Sequence, residues 1–236
     1  MKYKILLFDA DETLLDFRKA EKNALQITFS AHGITPTEAL CQAFSEVNAG
    51  LWKQFEKKEI EKSDIINRRF RDTLSLFDIP YSPGQGLEKD YQAALSLGHD
   101  PVENAESVCR TLAGHFRMYI VTNGLLSTQT ARLSDSGLMR FFKDFFVSEK
   151  IGFQKPSPQY FDAVIKAIGS PPKSEILIIG DSCSSDINGG IMSGIDTCWF
   201  NPKNLPMTAL SQPTFTIRSL FDLYEILGVN PAQNNS

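Results

Sequence analysis

Five short apolar segments, at residues 4–9, 118–122, 145–148, 176–180 and 197–200, constrain the fold of this chain more than any other feature. Each is a nearly continuous apolar run with no polar side to turn toward water, which is the pattern of strands covered on both faces. Helical patterns separate most of them. Asp100-Pro101-Val102-Glu103 offers an N-cap, a proline at the first helical position and an acid at the third, predicting a helix to about Gly114. Ser157-Pro158 opens another, with Phe161, Val164, Ile165 and Ile168 on one face and Gly169 as its stop. Strands alternating with helices predict an α/β fold, a doubly wound parallel sheet with helices on both sides. One more strand is expected at residues 214–217 and a helix at 220–227, before a frayed tail, "NPAQNNS".

The first interval breaks this rhythm. Roughly a hundred residues separate the first two strands, where a crossover needs far fewer. The intervening residues read as helices: Ala24, Leu25 and Phe29 recur at helical spacing, as do Leu40, Phe44, Val47, Leu51 and Phe55, and Ser63-Asp64 starts a further segment. The expected division is a core of residues 1–16 and 96–236 with a helical domain, 17–95, inserted into it.

The 236 residues are enough for such a core without an obligate partner, so a monomer or weak homodimer is expected. A net charge of −4 leaves no basic stripe for a nucleic-acid polymer, although a local cation still allows small anionic substrates. Cys41, Cys109, Cys183 and Cys198 show no C-x-x-C pairing and read as reduced thiols. The N-terminal apolar run is cut short by Asp9 and no later run approaches a membrane span, so a cytoplasmic protein with no membrane partner is expected.

In a parallel α/β sheet, ligands bind beyond the carboxyl ends of the strands. There the sequence places Asp9-Ala10-Asp11-Glu12-Thr13, then Thr122-Asn123-Gly124, then Gly180-Asp181 through Asp186, with Lys155 just ahead of the Pro-capped helix. Carboxylates gathered on one rim require a counter-charge. Magnesium suits an all-oxygen site completed by a substrate phosphate, and Lys155, Thr122 and the amides of Asn123 and Gly124 offer donors to phosphoryl oxygens. Asp9 is the expected nucleophile and Asp11 the expected acid/base, kept partly protonated by repulsion from Asp9. The substrate expected is a small phosphorylated metabolite. A nicotinamide-binding protein is not supported, since no G-x-G-x-x-G follows the first strand.

The D-x-D-x-T of Asp9, Asp11 and Thr13, the strand-end Thr122, the isolated Lys155 and the G-D-x-x-x-x-D of Asp181 and Asp186 occur in order, and with them the chain resembles the haloacid-dehalogenase-like hydrolase superfamily. The resemblance implies a Rossmann-like core, a mobile helical cap inserted after the first strand, and Mg2+ held by Asp9, the Asp11 carbonyl and Asp181, with Asp186 binding the metal or orienting its waters. An acid at position 11 turns the expectation from dehalogenation toward phosphate esters. "VNAGLWKQFEKKEI", "NRRF", "TNG", "RLSDSGL" and "SEKIGFQKPSPQYFD" resemble the branch of pyrimidine 5'-nucleotidases. That resemblance implies a phosphomonoesterase working through an aspartyl-phosphate. The alternatives are a sugar-phosphate or phosphoglycolate phosphatase, a phosphomutase, or a phospho-acceptor signalling module.

Within the helical domain, Asn48, Trp52 and Phe55 share one helix face. Asn48 and Trp52, with Phe17 and Arg68, are the candidate substrate contacts; the alternative for each is packing or, for Arg68 and Arg69, a surface charge. Thr13 is expected to stabilise its turn. Ser182 and Asn123 either bond the metal shell or cap their loops, and His32, His99 and His115 are assigned no chemistry.

Overall fold

The computed structural model describes residues 1–207 and 212–230. Residues 231–236, nearly all of the expected tail, lie outside the described residues. The chain divides into two units, one formed by residues 1–16 and 100–236, the other by 17–99.

The first unit is built on a parallel sheet of β1 (Ile5–Phe8), β2 (Arg117–Thr122), β3 (Asp144–Val147), β4 (Ile176–Gly180), β5 (Asp196–Phe200) and β6 (Phe215–Ile217), in the order β3-β2-β1-β4-β5-β6. The central position of β1 follows from its composition: all four residues are apolar and fully buried, so neither edge nor face can meet water. Phe8 lies in register with Ile120 of β2 and Ile179 of β4, which brings the carboxyl ends of the three central strands to one level.

The helical unit holds α1 (Phe17–Ala31), α2 (Glu38–Glu56), α3 (Lys62–Ser75) and α4 (Leu87–Leu95). The core unit continues with α5 (Ala105–Ala113), α6 (Leu126–Asp135), α7 (Ser148–Ile151), α8 (Pro158–Ala167), α9 (Asn188–Ser193) and α10 (Asp222–Leu227). Side chains alternate across the sheet. Leu6, Phe8, Ile120 and Ile179 pack with Val108 and Leu112 of α5, Leu133 of α6 and Leu223 of α10. Leu7, Val121 and Ile178 pack on the opposite face with Phe161, Val164 and Ile165 of α8. The sheet is therefore covered on both sides.

One expected helix start is corrected. Pro101 does not open α5, because residues 100–102 pair with the loop after β1: Val102 N donates to Leu14 O and Asp16 N to Asp100 O, both at 2.9 Å. That pairing holds the segment extended. The helix begins four residues later, after Asn104 in the left-handed region (φ 67°).

The helical unit has its own apolar centre, with Leu25, Phe29, Phe44, Phe70 and Tyr91 fully or almost fully buried. A buried polar network crosses it. The Glu21 carboxylate accepts from Ser45 Oγ (2.5 Å), Asn48 Nδ2 (2.9 Å) and the Tyr91 hydroxyl (3.4 Å). Arg69 donates to Asn48 Oδ1 at 3.2 Å and pairs with Glu88. Burial raises the pKa of Glu21, and the donors around it oppose that rise without cancelling it.

Candidate active site

Beyond β1 the chain turns sharply. Leu14 N and Leu15 N both donate to Ala10 O at 2.9 Å, and Glu12 takes a left-handed conformation (φ 59°). The turn places Asp9 and Asp11 at the strand's carboxyl end. Thr13 is wholly buried there, and its hydroxyl makes no hydrogen bond among the described residues, so it contributes to the turn by packing.

Lys155 is almost fully buried, and its ammonium donates to Asp9 Oδ1 at 2.6 Å, Asp186 Oδ1 at 2.6 Å and Val121 O at 2.9 Å. All three of its donors are thereby used. Its loop is fixed to the loop after β2 by a reciprocal pair: Asn123 Nδ2 donates to Lys155 O and Lys155 N to Asn123 Oδ1, each at 2.9 Å. The side-chain amide of Asn123 thus joins two loops. Asp186 sits one turn past β4, where Ser182 N donates to its second oxygen at 3.2 Å. It packs against Gly180, where a Cβ would lie 2.3 Å from the Asp186 Cγ. Ser182 caps the following turn, accepting from Ser185 N.

Carboxylate oxygens of Asp9, Asp181 and Asp186 lie within 4.8 Å of one another. Three carboxylates less the Lys155 ammonium leave two formal negative charges in a desolvated pocket. Burial, together with the charges of Asp186 and Asp11, pushes the pKa of Asp9 up to about 8 although Lys155 opposes it. Asp181 is pushed well above the carboxylate range by desolvation and then by Asp9 and Asp186. Burial works against the charge on Lys155, yet Asp186 and Asp9 outweigh it and hold the amine protonated. A hard divalent cation fits this donor set, since the three grouped side chains are all carboxylates and the cluster carries the excess negative charge that such an ion neutralises.

Asp11 points elsewhere. It pairs with the guanidinium of Arg132 and accepts from Gln129 Nε2 at 2.5 Å, so the counter-charge beside it comes from α6. Like charge adds to desolvation in raising Asp9 and Asp181. Thr122 Oγ1 accepts from Gly124 N (3.1 Å) and Gln129 Nε2 (3.0 Å). With both acceptor positions filled, its single proton is directed to a third partner, which makes Thr122 a donor.

The four candidate substrate contacts belong to the helical unit. Phe17 is partly buried against its apolar centre. Asn48 is buried, with both ends of its amide bonded to Glu21 and Arg69. Trp52 packs edge-on to Phe55 at 5.7 Å, and Arg68 pairs with Asp72 one turn on. Arg69, read as a surface charge, is buried instead, because Glu88 and the face of Tyr91 (4.6 Å) receive its guanidinium. Sequence reasoning missed Gln129 and Arg132. The only signal was their spacing, three apart on the helix that follows Thr122, which sets both on one side of α6.

Residues 3–194 match the model of a hydrolase family described as haloacid dehalogenase-like hydrolase. The chain is 36% identical over 231 residues to pyrimidine 5'-nucleotidase PynA of Streptococcus pneumoniae, covering 98% of this chain and 97% of that protein. It is 32% identical over 227 residues to pyrimidine 5'-nucleotidase YjjG of Escherichia coli, covering 96% and 99%. YfnB of Bacillus subtilis, named as a HAD-hydrolase, is 42% identical over 228 residues, covering 97% of each chain. A crystal structure of YfnB bound to magnesium superposes with a TM-score of 0.92 at 41% identity, over 97% of this chain and 100% of that one. On the sheet order, the match across residues 3–194 and these relatives, the chain belongs to the haloacid dehalogenase-like hydrolases.

Proposed function

We propose that the protein is a magnesium-dependent phosphomonoesterase that acts on a small phosphorylated metabolite, a pyrimidine nucleoside 5'-monophosphate, through an aspartyl-phosphate. The observation that carries this reading is the Asp9 carboxylate at the end of a rigid central strand, 2.6 Å from a buried ammonium and grouped with two further carboxylates. The activity for which both PynA and YjjG are named, pyrimidine 5'-nucleotidase, supports the choice of substrate.

In this reading Asp9, Asp181 and the Asp11 carbonyl hold Mg2+. Asp186, whose oxygens bond Lys155 and Ser182, orients the lysine. Bound magnesium would neutralise the carboxylates and the phosphoryl oxygens, letting one anion approach another. An oxygen of Asp9 attacks phosphorus in line, the new O–P bond forming as the ester P–O bond breaks. The leaving oxygen keeps that electron pair and takes a proton from Asp11. A water then attacks the same phosphorus, gives its proton to Asp11 and releases inorganic phosphate, restoring the Asp9 carboxylate. Thr122 donates to a phosphoryl oxygen, and the Lys155 ammonium, bonded to Asp9, Asp186 and Val121 O, offsets by its charge the negative charge that grows on the phosphoryl oxygens in each transition state.

The test is phosphate release across a panel of nucleoside monophosphates and sugar phosphates, with magnesium and again with chelator. Magnesium-dependent turnover should be highest on pyrimidine 5'-monophosphates, and Asp9→Asn should lower it at least about a thousandfold. Equal rates with chelator, or an active Asp9→Asn enzyme, would refute the mechanism. Preference for sugar phosphates would refute the substrate.

A further inference from the structure

We propose that Gln129 and Arg132 are positioning residues for proton transfer, holding the acid/base Asp11 in register with the phosphate donor Thr122. The proposal rests on the phosphomonoesterase reading above and adds a part that the D-x-D motif does not contain.

Both side chains are at least 98% buried, a costly place for a guanidinium unless it serves a fixed partner. That partner is Asp11, whose two oxygens are divided between them: Oδ1 pairs with Arg132 Nη1 and Oδ2 accepts from Gln129 Nε2. Gln129 Nε2 also reaches Thr122 Oγ1 at 3.0 Å, so a single amide group touches both the proton-transfer carboxylate and the phosphate-facing hydroxyl. Arg132 Nη1 lies 3.5 Å from Gln129 Oε1, which fixes the orientation of that amide. Gly124 leaves room for the arrangement, since a Cβ there would lie 2.4 Å from Gln129 Nε2. The consequence is geometric. A carboxylate on a turn is otherwise free to rotate, and proton transfer demands that it lie within hydrogen-bond reach of the leaving oxygen.

A residue that positions a general acid matters in proportion to how badly the leaving group needs a proton. A nucleoside 5'-alkoxide needs one; a p-nitrophenolate leaves without. Arg132→Lys keeps the charge and loses the planar fork. In this variant first-turnover release of the leaving group, which the later water step does not limit, should fall about a hundredfold for a pyrimidine nucleoside monophosphate, against less than about fivefold for p-nitrophenyl phosphate, with KM for the nucleotide little changed. Gln129→Met, which removes the shared donor, should show the same split and serves if Arg132→Lys does not fold. In an Asp11→Asn background, adding either substitution should lower the nucleotide rate by less than about twofold, because the group being positioned no longer transfers protons.

Equal losses on both substrates, as a loosened helix would give, or full additivity with Asp11→Asn, would overturn the proposal. A wild-type enzyme that hydrolyses p-nitrophenyl phosphate and sugar phosphates but no nucleotide would refute the nucleotide reading alone, and the split is then read on the best sugar phosphate. A wild type inert toward every ester would remove the reading and the proposal together.

Discussion

Two carboxylates share one buried ammonium at Lys155, and removing it leaves Asp9 and Asp186 facing each other without the charge that offsets their desolvation. Lys155→Met keeps the stem and deletes the charge. It should destabilise the folded protein by about 3–5 kcal/mol, the cost of breaking a buried ion pair from one side, measured by urea unfolding in chelator. An unchanged midpoint would mean that the two acids protonate at no cost. At this scale the sequence was legible where a motif carried the residue. Asp9, Thr122, Asp181 and Asp186 sit in motifs at or just past strand ends, and the structure gathers the carboxylates around Lys155, in the loop before α8. Gln129 and Arg132 were not legible, because what gives them meaning is Asp11, 118 and 121 residues away in the chain. Local periodicity marks only the face of α6 on which they lie.

The strand β4 and the turn that follows it work as one piece, since the missing side chain of Gly180 is the space that the Asp186 carboxylate occupies. Gly180→Ala should push Asp186 off Lys155, destabilising the protein by about 1–3 kcal/mol, as overpacking does, and lowering turnover. Gly114→Ala is the control: a Cβ there meets nothing closer than Thr111 O at 3.6 Å, and the backbone is already right-handed (φ −73°). Melting curves and phosphate release for the two variants separate the cases, and equal behaviour would deny the coupling of strand to turn. Element by element, the strands were legible because near-continuous apolar runs such as Ile176–Gly180 have no other stable place than a covered sheet. The false helix start at Pro101 shows the limit. Its local signals were sound, but Leu14, eighty-eight residues earlier, claims the Val102 amide.

For the molecule as a whole, the shift at Asp9 links folding to pH. An unfolded aspartate releases its proton near pH 4, whereas folding raises that value to about 8. Between these limits the folded chain binds a proton that the unfolded chain has lost, so its contribution to stability is complete below about pH 4 and declines as pH rises toward 8. In chelator, the melting temperature should therefore drop between pH 6 and pH 8. Magnesium should flatten that drop, since an ion that binds the ionised carboxylates stabilises only the folded chain. Parallel slopes with and without magnesium would count against Asp9 as a ligand. The place of β1 in the sheet has a further consequence during synthesis. This strand is made before every one of its neighbours, yet it pairs with β2 and β4, whose first residues stand 112 and 171 positions further on. Ile5–Phe8 thus stays uncovered while the helical unit can already close on itself, and a ribosome that stalls ahead of β4 leaves a sticky, half-paired strand for chaperones to guard.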